Sequence, residues 1–384
     1  MVKTYDVIII GAGSIGVPTA LALAQNNVKV GIIEENSSVG QGQNKRAIGG
    51  VRATHTAPAK IRLCNKSIEI FSTWEEKYGD DIEWFSGGYV FVAYTEDHEK
   101  MMKSNLKIQK EAGLNIDWVS KERIVELIPG IDEEGLRGGT FSPEDGNASP
   151  LLSINAFYRK SKEFGAEYFF NESVTSIISN NNKVKGVITT KDRYEADCVI
   201  NAAGAEAKEI GAMVGIDLPV IPDSHESGIS EPVKKFIEPL VVDLRPGRGT
   251  LNFYFYQNCE GKFILCLTPD PLILCKDIRE TSAFLPQLAE RLVNLIPRTK
   301  HLKIRRTWRG LYPMTPDGSP IVGKVNDIEG YINAVGLCGQ GYMLGPGLGE
   351  LIARIVTKDL SENDNKILEE FSLYRDFGRV EKLK

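Results

Sequence analysis

The stretch "YDVIIIGAGSIG", residues 5–16, decides the fold that this sequence is expected to adopt. Its first part, "YDVIII", is a β-branched run typical of a buried parallel strand. The apolar residues of "VPTALALAQNN", which follow the glycines, have helical spacing, and "VKVGIIEE" then forms a second strand. The chain therefore opens with a β–α–β unit of about 30 residues.

The glycines of this stretch indicate what the unit binds. Gly11, Gly13 and Gly16 satisfy the pattern G-x-G-x-x-G between strand and helix. In that pattern the first glycine allows a tight turn, the second lets backbone N–H groups reach a diphosphate, and the third lets the helix pack closely. Glu34 ends the second strand, where its carboxylate can accept hydrogen bonds from ribose and would repel a 2′-phosphate. The motif predicts a dinucleotide other than NADP, rather than a turn without a ligand, and leaves NAD and FAD open.

A second glycine-rich junction between strand and helix lies near the other end, in "INAVGLCGQGYMLGPGLGELIARIV", residues 332–356. Six glycines fall between Gly336 and Gly349, although glycine lowers helix stability. Backbone N–H groups at Gly339 and Gly341 could approach a flavin ring, whose negative charge on reduction a helix N-terminus stabilises. The alternative is a helix cap with tight packing. The position of this junction favours FAD over NAD.

Composition limits the possible partners and the compartment. The 384 residues suit two domains, and a net charge of −5 provides no basic field for nucleic acid or an anionic membrane. No apolar run approaches the ~20 residues of a membrane helix, and a strand begins too early for a signal peptide. The expected location is the cytoplasm. Scattered cysteines argue against a disulfide framework and a zinc site; they are Cys64, Cys198, Cys259, Cys266, Cys275 and Cys338.

The hydrophobic pattern changes along the chain. From about residue 219 to residue 315 it alternates, so that in "LNFYFYQN" Leu251, Phe253 and Phe255 face one way and Tyr254 and Tyr256 the other. The predicted fold class is α/β, with a Rossmann-like dinucleotide-binding domain and a second, mostly antiparallel β-sheet domain for the substrate. The predicted boundaries are 1–85, 140–218 and 320–384 for the first domain, and 86–139 and 219–319 for the second.

Several motifs together resemble the D-amino-acid oxidase superfamily of FAD enzymes, in its glycine oxidase and sarcosine oxidase branch. They are "IIIGAGSIG", "RAIGGVRATH", "GNASPLLSINAFYRKSKEFGAE", "VINAAGA", "WRGLYPMTPDGSPIVGK" and "GLCGQGYMLGPGLGELIARI". The chain is most similar to the β subunits of heteromeric sarcosine oxidases and of archaeal dye-linked L-proline dehydrogenases. This resemblance implies an FAD enzyme that oxidises a carbon bearing an amine, with a hydride passing from the α-carbon to flavin N5.

The resemblance also implies which residues contact FAD. Val174 matches a position whose backbone meets adenine, and Gly204 matches a small residue beside the diphosphate, although both residues are equally explained without a ligand. Gly310 stands where monomeric sarcosine oxidases attach flavin through cysteine, so non-covalent FAD is expected. The full predicted set is Gly11, Gly13, Ser14, Ile15, Gly16, Glu34, Glu35, Arg46, Gly49, Gly50, Val174, Ala203, Gly204, Gly310, Gly339, Gln340, Gly341, Tyr342 and Met343.

On the substrate side the chain departs from its better-known relatives. Tyr312 stands where glycine oxidase and D-amino-acid oxidase carry a carboxylate-binding arginine, and Met343 where monomeric sarcosine oxidase uses a lysine. Arg52 is therefore the first candidate for a substrate carboxylate and Arg46 the second. The alternative for Arg52 is a salt bridge or a phosphate contact.

Aromatic residues and one histidine complete the predicted pocket. Tyr312, Tyr254 and Tyr256 are candidate walls, of which at least one is expected to be a core or interface residue. His225 is a candidate pocket residue, although a lone histidine is usually structural. Lys262 comes too early in "KFILCL" to match the lysine that sarcosine oxidases place above the flavin, which favours a dehydrogenase.

The sequence thus predicts an FAD-dependent amino-acid or amine dehydrogenase or oxidase, acting on a secondary amine such as proline or an N-methylated glycine. Two alternatives remain: a flavin subunit that relays electrons in a larger complex, and an NAD-dependent dehydrogenase. Expected partners are the small-molecule substrate, an electron acceptor or further subunits, and other copies in an oligomer; no nucleic acid and no membrane insertion are expected.

Overall fold

The computed structural model describes residues 3–378 and 381. The strands are β1 (Lys3–Ile10), β2 (Val30–Glu34), β3 (Gly50–Val51), β4 (Tyr89–Ala93), β5 (Asp117–Ser120), β6 (Gly138–Ser142), β7 (Gly146–Asn147), β8 (Glu167–Phe170), β9 (Val174–Asn180), β10 (Lys183–Thr189), β11 (Arg193–Asn201), β12 (Ile221–Pro232), β13 (Leu240–Asp243), β14 (Thr250–Gln257), β15 (Lys262–Pro269), β16 (Ile304–Met314), β17 (Ile321–Val325) and β18 (Ile328–Val335). The helices are α1 (Gly16–Gln25), α2 (Pro58–Ser72), α3 (Trp74–Tyr78), α4 (Glu96–Glu111), α5 (Lys121–Leu127), α6 (Pro150–Glu163), α7 (Ala207–Ala212), α8 (Phe284–Leu295), α9 (Gly341–Thr357) and α10 (Glu362–Glu370).

The first sheet contains the predicted β–α–β unit. Its strand order is β17-β18-β10-β11-β1-β2-β8, with β9 paired to β10. Strand β1 lies in the interior, parallel to β2 and to β11, and Ile9 stands opposite Ile32 on one side and Ile200 on the other. All three side chains are fully buried, as the β-branched run predicts for a strand covered on both faces. The Rossmann-like part of the fold class is confirmed.

Three glycines of α9 serve helix packing. A Cβ on Gly345 would lie 2.1 Å from the carbonyl oxygen of Ser14, and one on Gly347 would lie 2.3 Å from that of Leu63. A Cβ on Gly349 would come within 2.7 Å of the backbone of Pro18. These glycines let α9 press its main chain against α1 and α2. For them the alternative of tight packing is correct, and the explanation by an approaching ring applies at most to the residues before them.

The second sheet has the order β16-β12-β15-β14-β13-β4-β6-β5 and is antiparallel except where β4 pairs with β13. Strand β14 alternates as predicted, because Phe253 and Phe255 are fully buried in one core and Tyr254 packs against another. Leu251 is exposed. Helix α8 was missed within the region that the alternation assigned to strands, although its buried face repeats at helical spacing. The mostly antiparallel second sheet is confirmed, whereas the domain boundaries remain predictions.

Other features bear on the composition argument. Among residues 3–378 and 381, none of the helices combines the length and the apolar character needed to span a lipid bilayer. All six cysteines are free thiols. The same residues contain no group of three or more histidine, cysteine, aspartate or glutamate side chains arranged to hold a metal ion.

Candidate active site

One large cavity lies between the two sheets and is lined by both ends of the chain. Gly11 and Gly13 line it after β1, Glu34 lines it at the end of β2, and residues 339–343 line it at the start of α9. Arg52 and aromatic residues of the second sheet line its other part. The carboxyl ends of parallel strands meet at one sheet edge, where ligands of such folds bind. The first part is called the nucleotide end below, and the part near Arg52 the substrate end.

The glycines of the nucleotide end have different roles. Gly11 has a φ of +103°, and a Cβ there would lie 2.6 Å from the carbonyl oxygen of Ala202. A Cβ on Gly16 would lie 1.9 Å from the carbonyl oxygen of Gly11, and Gly16 does not line the cavity. A Cβ on Gly13, in contrast, would have no atom within 4 Å. Gly11 and Gly16 thus shape the turn, and Gly13 leaves open space that a ligand can fill.

Glu34 is fixed by hydrogen bonds at the edge of this space. Its Oε2 accepts the N–H of Ala12 at 2.7 Å, and its Oε1 accepts the N–H and the side-chain amide of Asn36 at 2.9 and 2.7 Å. Glu35, Glu172 and Glu206 line the same end. The charges of these four acidic side chains would repel a 2′-phosphate on the ribose, as the sequence predicts for Glu34.

The N-termini of α1 and α9 lie beside the nucleotide end. No side chain caps the first turn of α1 or of α9, and the first N–H groups of a helix have no acceptor within it. At α9 the residues of that turn line the cavity. Gln340 precedes them, and its buried Oε1 has no hydrogen-bond partner among the described residues. Open space at Gly13, two uncapped helices and one orphan acceptor together fit a dinucleotide with an anionic middle and a polar ring.

Arg46 and Gly310 join the cavity wall to the second sheet. The Arg46 Nη1 donates to the carbonyl of Arg309 at 2.8 Å, and the indole N–H of Trp308 donates to the carbonyl of Arg46 at 2.8 Å. A Cβ on Gly310 would lie 3.1 Å from the Arg46 Cβ. The Arg46 guanidinium is therefore directed towards β16.

Arg52 follows β3 and is buried in the cavity wall. Its Nη1 donates to the carbonyl of Thr54 and lies 3.4 Å from His55 Nδ1, while its guanidinium carbon lies 5.4 Å from the centre of the Phe91 ring. Burial, and then the charge of Arg52, lower the pKa of His55 well below its usual value. His55 is therefore neutral, and Arg52 carries the positive charge at the substrate end.

Two tyrosines form a hydroxyl pair opposite the nucleotide end. The hydroxyl oxygens of Tyr254 and Tyr312 are 2.6 Å apart, and both residues line the cavity. Burial raises the pKa of both phenols well above the usual value, so both remain protonated. A Cβ on Gly339, whose φ is +78°, would lie 2.3 Å from the ring of Tyr312. That glycine thus makes room for a protein ring.

Two other predicted pocket residues are not among those that line the cavity. His225 stacks on Tyr312 with ring centres 3.8 Å apart, and its Nε2 lies 2.9 Å from an oxygen of Asp223. The Tyr256 hydroxyl donates to the carbonyl of Ile48. His225 therefore supports a wall residue from behind, and Tyr256 is the structural aromatic that the sequence analysis anticipated.

Apart from Gly16, every residue predicted to contact FAD lines the cavity. The sequence analysis missed the contributions of Gln43, Asn44, Tyr89, Phe91 and Thr268. Tyr89 and Phe91 could have been found, because they alternate on one face of the strand predicted from "GGYVFVAY". Asn44 offered no such signal: its Oδ1 accepts the hydroxyl of Ser14 at 3.0 Å across the loop.

Comparisons with known proteins agree with this geometry. Residues 6–355 match the family described as FAD dependent oxidoreductase (DAO). The chain is 26% identical to glycine oxidase of Geobacillus kaustophilus (strain HTA426) over 99% of both chains. It is 25% identical to sarcosine oxidase subunit beta of Arthrobacter sp, over 93% of this chain and 88% of that one.

Among solved structures, L-proline dehydrogenase from P. horikoshii superposes with a TM-score of 0.91 at 30% identity, over 98% of each chain. The cofactor of this family is FAD, which sets aside the NAD-dependent alternative. The chain belongs to the FAD dependent oxidoreductase family, whose members act on amino acids or amines.

Proposed function

We propose that this protein oxidises an amino acid whose amine is secondary, of the proline or sarcosine kind, and that Arg52 binds the substrate carboxylate. The burial of the Arg52 guanidinium at the substrate end is the observation that carries this proposal. Among the described residues that line the cavity, only Arg46 and Arg52 have cationic side chains; both donate to a backbone carbonyl, and Arg52 is the more deeply buried of the two. A carboxylate pairs best with a guanidinium, particularly where water is excluded.

The walls around Arg52 suit a small, partly apolar substrate. Ile48, Phe91 and Val242 line the cavity together with the Tyr254–Tyr312 pair. In the described part of the lining, the acidic side chains are Glu34, Glu35, Glu172 and Glu206, which lie at the nucleotide end, and no histidine is present. The substrate end therefore offers hydrogen bonds and desolvation but no carboxylate or imidazole base. We infer that the amine must bind in its neutral form.

The residues of this chain divide the work as follows. Bound FAD supplies a two-electron acceptor that takes a hydride from the α-carbon of the substrate. The open space at Gly13 and the N-terminus of α1 would hold the diphosphate, Glu34 the ribose, and the first turn of α9 the pyrimidine edge of the ring. Arg52 would fix the carboxylate while the phenol pair orients the amine. The product imine is then hydrolysed by water or, for a ring substrate, stays cyclic.

Non-covalent FAD is part of the proposal. Of the six cysteines, only Cys338 lines the cavity, and its Sγ lies 3.3 Å from the Thr315 hydroxyl and 3.1 Å from the carbonyl of Gly336. Burial raises the pKa of this thiol, which keeps it protonated and unreactive. Gly310 also lines the cavity and carries no nucleophile.

We further propose a dehydrogenase that works with additional subunits. The similarity to a sarcosine oxidase subunit beta supports a multi-subunit assembly. No lysine is present in the described part of the cavity lining, and Lys262 instead pairs with Glu260 at the protein surface. The absence of a lysine beside the ring favours an electron acceptor other than oxygen.

An anaerobic reduction experiment on the purified chain tests the proposal. Flavin absorbance near ~450 nm is followed after mixing with proline, with sarcosine, and with pyrrolidine, which has the proline ring but no carboxylate. Bleaching by proline or sarcosine at concentrations where pyrrolidine has little effect is expected. Equal bleaching by pyrrolidine would contradict the role of Arg52. Failure of every amino acid would instead support a subunit that only relays electrons.

A further inference from the structure

A cluster of buried ionisable side chains lies behind Arg52 and is not used by the mechanism described above. His55, Lys60 and Asp145 are fully buried, and Glu381 is 4% exposed. Buried charges are costly unless they are paired or hydrogen-bonded, so this cluster requires a physical explanation. Its members lie within or beside residues 53–57, the segment that directly follows Arg52.

Asp145 holds the first part of this segment. Its Oδ1 accepts the backbone N–H of Ala53 at 2.9 Å, and its Oδ2 accepts the hydroxyl of Thr54 at 3.0 Å. Its own carbonyl accepts the N–H of Gly88 at 2.8 Å, immediately before β4. Asp145 thereby joins the Arg52 segment to the strand that carries Phe91, the ring over which the guanidinium lies.

The orientation of Arg52 depends on this anchor. The guanidinium donates to the carbonyl of Thr54, which is the residue whose hydroxyl Asp145 holds. Hydrogen bonds therefore connect Arg52 to Thr54 and Thr54 to Asp145. Without the Asp145 carboxylate, the Ala53 N–H would be left buried without this acceptor, and the segment could relieve that cost only by moving. Any such movement carries the Thr54 carbonyl away from the guanidinium.

The far part of the segment has a different anchor. Glu381 accepts the N–H of Thr56 at 3.0 Å and that of Ala57 at 3.2 Å, and Lys60 lies 3.6 Å from Glu381. These contacts of Glu381 lie beyond His55, whereas Asp145 holds Thr54, the residue whose carbonyl accepts from Arg52. Two buried carboxylates thus hold one short segment, and Asp145 holds the residue whose carbonyl contacts Arg52.

We propose that Asp145 is a positioning residue for substrate recognition: by holding Ala53 and Thr54 it aims the Arg52 guanidinium into the cavity at the substrate carboxylate. This inference rests on the proposed role of Arg52. Asp145 itself does not line the cavity.

The test measures carboxylate binding to the oxidised flavoprotein. The probe is cyclopentanecarboxylate, which has the ring and carboxylate of proline but no amine to oxidise, and its Kd is obtained from the change in flavin absorbance. Asp145→Ala is expected to raise this Kd about tenfold, with flavin content unchanged. Glu144→Ala removes the exposed neighbouring acid as a matched control and should leave the Kd unchanged. Asp145→Asn should stay near the wild type, because an amide can still accept from Ala53 and donate to the Thr54 hydroxyl.

A double-mutant cycle separates positioning from general stabilisation. In an Arg52→Ala background, Asp145→Ala should cause no further loss of probe binding, because its effect acts through Arg52. An additive loss would overturn the inference. If Asp145→Ala does not accumulate as a flavoprotein, Thr54→Val decides, because it removes one of the two anchoring hydrogen bonds at nearly constant volume. A Kd about threefold higher is expected for Thr54→Val, and an unchanged Kd would overturn the inference.

The same measurements distinguish the two proposals. An unchanged Kd in Arg52→Ala alone would refute the proposed role of Arg52 and the present inference with it. A raised Kd in Arg52→Ala, together with a wild-type Kd in Asp145→Ala, would leave the proposed function intact and reject only the positioning role.

Discussion

The two ends of the cavity are built from different parts of the polypeptide. The nucleotide end is formed mostly by main chain: the turn at Gly11 and Gly13 that leads into α1, and the uncapped first turn of α9. The substrate end is formed mostly by side chains, namely Arg52 and the Tyr254–Tyr312 pair. A site built from main chain requires residues without bulky side chains. A site built from side chains requires neighbouring groups that hold those side chains in position. The following predictions test this contrast, from the largest expected effect to the smallest.

Gly13→Val should have the largest effect, at the nucleotide end. The added Cβ would have no protein atom within 4 Å, and the side chain would occupy the space assigned to the diphosphate. The Kd for FAD, measured by titrating the apoprotein, should rise about 100-fold, while the folded apoprotein is retained. Gly16→Ala is the contrasting variant, because its Cβ would clash with the Gly11 carbonyl and destabilise the fold itself. An unchanged FAD affinity in Gly13→Val would contradict the assignment.

Arg52→Ala should be the most damaging change at the substrate end. Loss of a charge-assisted contact is expected to raise KM for the carboxylate-bearing substrate about 30-fold. Flavin content should not change, because the nucleotide end does not depend on this side chain. Steady-state kinetics with the substrate found by anaerobic screening provide the measurement. A KM equal to that of the wild type would discard Arg52 as the carboxylate ligand.

Gly345→Ala tests whether the glycines of α9 serve packing. Its Cβ would lie 2.1 Å from the Ser14 carbonyl, so α9 must shift away from α1 at a cost of about 2 kcal/mol. The thermal midpoint should fall by about 2 to 3 °C. In Gly341→Ala the nearest atom would be the Leu337 Cβ at 3.5 Å, an ordinary contact. That variant should keep the midpoint of the wild-type apoprotein, and equal destabilisation of both variants would contradict the distinction.

The smallest predicted effect is a pH dependence of stability at Asp145. Burial raises its pKa from 3.8 to about 6, against the hydrogen bonds from Ala53 and Thr54 and the charge of Arg52, which lower it. Because the folded-state pKa is the higher one, this group's contribution to stability is lost as pH rises towards and through 6. Between pH 5 and pH 8 the wild type should therefore lose about 1 kcal/mol relative to Asp145→Asn. The measurement is the free energy of unfolding of both proteins at pH 5 and pH 8. An equal difference between the two proteins at both pH values would show that Asp145 does not titrate in this range.

The contrast also explains how much the sequence could predict. The β–α–β unit, the tight turn at Gly11, and the convergence of both chain ends on one cavity follow from local patterns. The glycines of α9 were harder to interpret. Glycine allows close approach of a neighbouring helix and of a ligand alike. The spacing of the glycines therefore does not distinguish Gly345, which packs against the Ser14 carbonyl, from Gly341, which does not.

The anchoring of Arg52 could not be predicted for a different reason. Asp145 lies 92 residues beyond the Ala53 N–H that it accepts, in a turn with no motif of its own. Likewise, Tyr254 and Tyr256 share one face of β14, as the alternation predicts, yet only Tyr254 lines the cavity. Alternation determines the face of a strand, and only the packed structure determines how far along that face a cavity extends.

A crystal structure of the holoprotein with bound cyclopentanecarboxylate tests the central claim most directly. We expect the FAD diphosphate at Gly13, the flavin ring at residues 339–343, and the probe carboxylate on Arg52. A flavin ring turned away from the start of α9, or a carboxylate bound by another group, would contradict the assignment of the two ends of the cavity.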